Sequence, residues 1–335
     1  MRKMILLAAC ATMLAGCAKN EGQDPDTGKA RIDFSAGLDV VPTKATEQSV
    51  SLGTHASMWV YTKNDAPGTA TAQVNAKEYN VVTTAGTFDP VGTGDAAMYL
   101  NYGDYDFYSV GVVNYHAMNY PLPVFSGTPN NATSDAGLKN EADYIFAKVA
   151  AHTVGAAANT KTVALQYAHA AVNVELTVAA GSGMVLTDVT AAKITPSDPA
   201  APVMSLTDGT ITQAPSILAE TGAGSGDNLK SMVAAADNTA NGSSWVFSYI
   251  MLPLAKSQTL TVELTVSYTL NGTPVTGKTF TGTLTTPDGT PGGFISGNRY
   301  KYSVKVNGNG LSFAACKVTD WTDNTHPDDI PATEN

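Results

Sequence analysis

The chain has 335 residues, room for one large or two ordinary domains, and 43% of them are hydrophobic, enough for a true core. Only 14% are charged, with 19 Lys and Arg against 29 Asp and Glu, a formal net charge of −10. An acidic chain with no basic cluster argues against nucleic acid or anionic lipid headgroups as partners, and polarity carried by Thr, Ser, Gly, Ala and Asn is that of a β-rich extracellular protein.

The chain opens with Arg2 and Lys3, an apolar run from Met4 to Met13, and small residues leading to Cys17. The run is too short to cross a bilayer as a helix and reads as an export signal. Leu14-Ala15-Gly16-Cys17 resembles a bacterial lipobox. That resemblance implies loss of residues 1–16 and acylation, palmitate included, of Cys17. Each buried acyl methylene then contributes about 0.8 kcal/mol of membrane affinity. The alternative is an ordinary secretory signal with an incidental cysteine. On either reading the mature chain works outside the cytoplasm. Losing Arg2 and Lys3 leaves 17 basic residues against 29 acidic ones, a net charge of −12. Cys10 leaves with the signal, so Cys316 has no partner for a disulfide. An unpaired cysteine in an exported protein is a candidate reactive thiol, but the apolar setting, Leu311 to Val318, favours a buried, inert one.

Residues 17–31 are polar and read as a tether. Beyond them the period is two almost everywhere. Ile32, Phe34, Ala36, Leu38 and Val40 share a face, as do Trp245, Phe247, Tyr249 and Met251. So do the run from Leu260 to Leu270 and the set Tyr300, Tyr302, Val304 and Val306. These are strands with one buried side. Asp208-Gly209, Asn271-Gly272 and Asn307-Gly308-Asn309-Gly310 supply hairpin turns between them. Ala136–Lys148 and Asn228–Ala236 are candidate short helices. Val163, Leu165 and Tyr167 lie at odd positions, whereas Val172, Val174, Leu176 and Val178 lie at even ones. A one-residue slip turns side chains to the other face, so the stretch Ala168–Ala171 marks either a bulge or a strand passing from one sandwich to the next, and the domain boundary is placed there. The expected fold is all-β, two tandem antiparallel β-sandwich domains over 32–170 and 171–324, followed by an acidic tail, 325–335.

No catalytic constellation emerges. His55, His116, His152, His169 and His326 are scattered without ligand spacing, and no Gly-x-Ser-x-Gly, phosphate loop or Cys–His pair is present. Asp323, Asp328, Asp329 and Glu334 lack a calcium-loop pattern and read as a solvated tail. Trp59, Trp245 and Trp321 are candidates for stacking on sugars, but Trp59 and Trp245 lie in alternating strands and are expected in the core. The chain is read as a protein with no cofactor, no metal and no enzymatic activity.

Several segments in order resemble one family. Ile32-Asp33-Phe34-Ser35-Ala36-Gly37 is followed by Pro42-Thr43-Lys44-Ala45-Thr46 and by Tyr105-Asp106-Phe107-Tyr108-Ser109-Val110. Then come Asp143-Tyr144-Ile145-Phe146-Ala147, Val163 to Ala170, Gly297-Asn298-Arg299-Tyr300-Lys301-Tyr302 and Asp320-Trp321. Together they resemble the fimbrillin-like family, lipoprotein subunits of type V pili in Bacteroidales-type bacteria. The resemblance implies transthyretin-like topology in both domains and a location at the outer membrane and cell-surface fimbrium. It also implies a mechanism. A trypsin-like protease cuts after a basic residue and releases the lipid and the first strand, whose Ile32, Phe34, Leu38 and Val40 leave a groove. A C-terminal segment of the next subunit, here Leu311 to Trp321 with Phe313 and Val318, fills that groove by strand addition. The matching cut is Lys44-Ala45. The family often has Arg there, and Arg31-Ile32 is the alternative, which would free the lipid and leave the strand. Partners on this reading are other pilus subunits, the membrane through the lipid before cleavage, and a host protein or glycan. The rival reading is a surface lipoprotein that keeps its lipid and binds glycans for an uptake system through exposed aromatic residues.

Overall fold

The computed structural model describes residues 28–38, 48–92, 96–113, 122–126, 132–133, 138–157, 160–195, 202–212, 232–234, 237–241, 244–314 and 316–320. All their regular structure is β. In the first half these are β1 (Lys29–Leu38), β2 (Gln48–Ser49), β3 (His55–Thr62), β4 (Val74–Asn80), β5 (Thr87–Pro90), β6 (Met98–Asn101), β7 (Gly103–Val112), β8 (Phe125–Ser126), β9 (Ala132–Thr133), β10 (Tyr144–Val154) and β11 (Thr162–His169). In the second half come β12 (Val172–Ala180), β13 (Met184–Thr195), β14 (Met232–Ala234), β15 (Asp237–Asn241), β16 (Ser244–Met251), β17 (Thr259–Leu270), β18 (Thr273–Thr285), β19 (Asn298–Asn307), β20 (Gly310–Phe313) and β21 (Lys317–Asp320).

The first half departs from the antiparallel β-sandwich expected for it. Its strands run in the order β11-β10-β7-β3-β4-β5-β1, and β1 pairs back onto β11, so the sheet closes into a seven-stranded barrel-like ring. Ile32, Phe34, Met58, Val60, Phe107, Ile145, Val163 and Leu165 fill its interior. The second half holds two sheets around one core. One has the order β15-β16-β12-β19-β20, with β21 also on β19, and the other the order β14-β13-β17-β18. Leu176, Phe247, Tyr300 and Val304 of the first sheet meet Ile194, Val262, Leu264 and Phe280 of the second. The turn between β17 and β18 places Asn271 and Gly272 at φ 49° and 81°, a conformation that favours these two residues.

Three expectations change. β1 begins at Lys29, so three residues assigned to the tether belong to a strand. The candidate helix at 136–148 runs into strand β10, and the one at 228–236 contains strand β14. In both, sheet pairing overrides the helical spacing of Ala and other apolar residues. Val40, Lys44, Ala45, Cys17, Trp321 and the acidic tail lie outside the described residues.

β11 passes into β12 through buried Ala170 and Ala171, where the chain leaves the ring for the sandwich. A third core seals this crossing. Trp59, Tyr61, Tyr108, Val110 and Tyr144 on the outer face of β3, β7 and β10 pack with Met204, Leu206 and Ile211 of a hairpin that follows β13. Hydrogen bonds add to it: the Glu141 N–H donates to the Ile250 carbonyl at 2.9 Å, and the Leu252 N–H to the side-chain Oδ1 of Asn140 at 2.8 Å. At the hairpin tip Gly209 has φ 73°, and a Cβ there would collide with the Phe146 ring. Gly209→Ala is therefore expected to lower unfolding stability by about 1–3 kcal/mol, as seen in denaturant melts, because it combines backbone strain with overpacking.

Candidate functional site

β1 alternates without a break. Ala30, Ile32, Phe34, Ala36 and Leu38 point inward and are buried, while Arg31 and Asp33 point out and form an exposed ion pair at 3.2 Å. The period-two pattern builds the strand, and its partners hold it on both edges. On one edge Asp33–Leu38 pairs in parallel with Thr162–Tyr167 of β11. On the other, Phe34 and Ser35 pair with β5, and Gly37 and Leu38 with β2. The preceding residues, Lys29–Ile32, pair with all of β6, whose only pairing among the described residues is this one. The Ala36 N–H donates to the Gly86 carbonyl at 2.8 Å, and the Tyr102 N–H to the Gly28 carbonyl at 2.9 Å.

The floor under β1 is aromatic. The Phe34 ring stands edge-on to Tyr79 at 5.0 Å and to Phe107 at 5.9 Å. The Met98 N–H donates to the Tyr79 hydroxyl at 3.2 Å, and the Tyr167 and Ser109 hydroxyls lie 2.5 Å apart. Burial pushes the Tyr79 hydroxyl up to about 12 and raises that of Tyr167 further. At about 1.5–3 kcal/mol for each large side chain, Ile32, Phe34 and Leu38 together contribute on the order of 5–9 kcal/mol. Removing β1 would open the ring between β5 and β11, leave β6 unpaired and expose this floor.

The other predicted segment borders β19. β20 pairs with Val304–Asn307 and β21 with Asn298–Lys301, so Gly310–Phe313 and Lys317–Asp320 lie along β19 as two separate pieces of strand. Leu311, Phe313 and Cys316 are half-buried against the sandwich core, whereas Val318 is 47% exposed. Cys316 is thus only partly covered. Burial raises its thiol pKa, and a hydrogen bond with Tyr302 offsets part of that rise. Strand β6 and residues Ala30 and Tyr79 were not singled out from sequence. The alternation Met98-x-Leu100 was the available signal for β6.

The remaining candidates have structural roles. Trp59 and Trp245 are core residues. His169 Nδ1 lies 2.8 Å from Asp143 Oδ1, both side chains buried at the crossing between ring and sandwich. His152 Nε2 contacts the Thr160 carbonyl at 3.2 Å. No group of three or more His, Cys, Asp or Glu among the described residues could hold a metal ion. A cleft of about 500 Å³ between the 203–212 hairpin and the 289–296 loop is walled by Ile211, Pro253, Pro291 and Ile295, with Lys256 at its lining and no aromatic side chain.

Comparison with known proteins adds a family. Residues 43–321 match the model of a family described as fimbrillin-like. The chain is similar in structure to a Bacteroides uniformis protein assigned a cell-adhesion role, with 18% identity, TM-score 0.53, and coverage of 89% of this chain and 100% of that one. It is also similar to a Bacteroides ovatus protein of the same assignment, with 20% identity, TM-score 0.52, and coverage of 88% and 99%. No curated protein matches it.

The tyrosine hydroxyls give a pH signature. Burial raises Tyr79, Tyr144, Tyr167, Tyr249 and Tyr302 above their ordinary value of 10. A raised folded-state value favours the neutral form. Stability is then intact below about pH 10 and is lost as pH rises through 12 and beyond. Denaturant midpoints should agree at about pH 7 and pH 9 and fall at about pH 12, and tyrosinate absorbance should rise with unfolding rather than before it.

Proposed function

The chain belongs to the fimbrillin-like family, and on that premise we propose that it is a structural or adhesive subunit of a type V pilus, assembled by proteolysis-triggered exchange of β1. Membership makes it a pilus-related, structural protein of the cell-surface fimbrium. The finer reading adds export as a lipoprotein acylated on Cys17, retention at the outer membrane until cleavage, and two tandem domains of transthyretin-like topology. Protease cuts Lys44-Ala45, β1 leaves, and residues Leu311 to Trp321 of another copy enter the slot.

The single observation that carries this reading is the placement of β1. The ring's first strand in sequence is also the one that closes it, and it is held by pairing on both edges. The family match also begins at Thr43, beside Lys44, and leaves β1 outside. Lys44 is favoured over Arg31 as the cut because Arg31 lies within β1, paired opposite Tyr99, and proteases need backbone free of such a ladder. The glycan-binding alternative loses two of its three tryptophans to the core.

Two experiments test the reading. Limited trypsin should cut at Lys44-Ala45, and the cut subunit should form ladders of oligomers on native gels. Lys44→Ala should stop cutting and ladders alike, Arg31→Ala should stop neither, and deleting residues 311–335 should stop ladders only. A cut protein that stays a monomer with an unchanged melting temperature would rule out strand exchange. Separately, Cys17→Ala should abolish acylation and retention in the membrane fraction, read by mass spectrometry and fractionation. A soluble wild type with no acyl mass on Cys17 would remove the lipid from the account.

A further inference from the structure

In the resting subunit the C-terminal strand has a seat of its own, and a glycine makes it. β18 turns Phe280 and Leu284 into the sandwich core, and Gly282 leaves the inward position between them without a side chain. Leu311 and Phe313 of β20 occupy that gap. A Cβ on Gly282 would lie 2.7 Å from Phe313 Cε2 and 2.9 Å from Leu311 Cβ. The backbone at Gly282 is not in the left-handed region, so the glycine serves space and not a turn.

The same two side chains carry a likeness to β1. Leu311-Ser312-Phe313-Ala314-Ala315-Cys316 repeats the alternation of Ile32-Asp33-Phe34-Ser35-Ala36-Gly37, with large, large and small residues on one face. In that register Phe313 takes the place of Phe34 between Tyr79 and Phe107, and Leu311 that of Ile32. The likeness ends at Lys317, which falls where β1 has Leu38. β20 is held to β19 over only four register pairs, and the pairing breaks before β21.

We infer that Leu311 and Phe313 have two alternative seats, over Gly282 in their own subunit and in the β1 slot of a second copy of this chain, and that Gly282 sets how readily they leave the first. This rests on the strand-exchange reading above. One segment cannot fill both seats, so whatever weakens the home seat shifts the population toward the form that reaches a neighbour.

Gly282→Ala puts a methyl into that seat without touching the slot, the incoming segment or the cut site. Overpacking of this kind should release β20 about tenfold more often. In the uncut protein, labelling of the Cys316 thiol should be slow for wild type and about tenfold faster for the variant. After trypsin, ladders should grow faster by a similar factor. The converse variant closes the seat: Gly282→Cys with Leu311→Cys, in a Cys316→Ser background, places two sulfurs for a bridge after a small outward shift. The oxidised form should be cut but form no ladders, whereas the same variant kept reduced should form them, at a slower rate than wild type because Leu311→Cys also shortens a side chain of the incoming segment. This second variant keeps the test decisive if Gly282→Ala folds poorly. Unchanged labelling and ladder growth in Gly282→Ala, or ladders from the oxidised form, would overturn the inference while the exchange reading stands. If cut wild type forms no ladders at all, the exchange reading fails and the inference fails with it.

Discussion

A sheet closes into a ring only when every strand in it is paired on both edges, and β1 supplies the last two of those pairings here. Its neighbours on the two sides, β11 and β5, are otherwise the ends of an open sheet. An open version would present two unpaired edges and an apolar trough, both of which invite association with other chains. Burial of three large side chains on β1 matches the scale of a domain's whole net stability. On the proposed exchange, the place of β1 has to stay filled, and alternation and side-chain size are what an incoming strand must match.

The ring and the sandwich are not independent of each other. β3 and β7 are buried on both faces, one toward the ring interior and one toward the third core with the 203–212 hairpin. The strand that borders β1 continues through Ala170 and Ala171 into β12, which pairs in parallel with β19, the strand that carries β20 and β21. One run of backbone thus joins the neighbour of the slot to the neighbour of the segment proposed to fill another slot. Close packing at the crossing, including Gly209 against Phe146, leaves little freedom for the two units to slide.

Much of this was legible in sequence where burial is one-sided. The faces of β1, β16, β17 and β19 follow from period two alone, and the parity slip near Ala168–Ala171 marks the change of sheets. Ring closure was not legible. β1 and β11 are parallel and far apart in the chain, and such pairing leaves no local signal. His55–Thr62 is buried on both faces, so its composition shows no clean alternation to read. The two candidate helices failed because short Ala-containing runs fit either period and tertiary pairing decided. At the site, Ile32, Phe34, Leu38, Leu311 and Phe313 were named from the residues and the family likeness. Gly282 shows in sequence only as a gap between Phe280 and Leu284, and its meaning needs the opposing sheet.

On the proposed mechanism, proteolysis changes no contact at first. Before the cut, the segment between Leu38 and Gln48 ties β1 to the ring, so its pairing is intramolecular and is favoured by an effective concentration of roughly millimolar order. After the cut, the same pairings hold a short free segment that competes on mass action alone. An incoming segment with the same large, large, small alternation offers comparable burial and stays covalently attached to a whole subunit. The exchange is then driven less by a better fit than by loss of the tether. This explains how Lys317 can stand where Leu38 was: the incoming strand need not bind more tightly than β1 did inside the intact chain, only more persistently than β1 does once it is free.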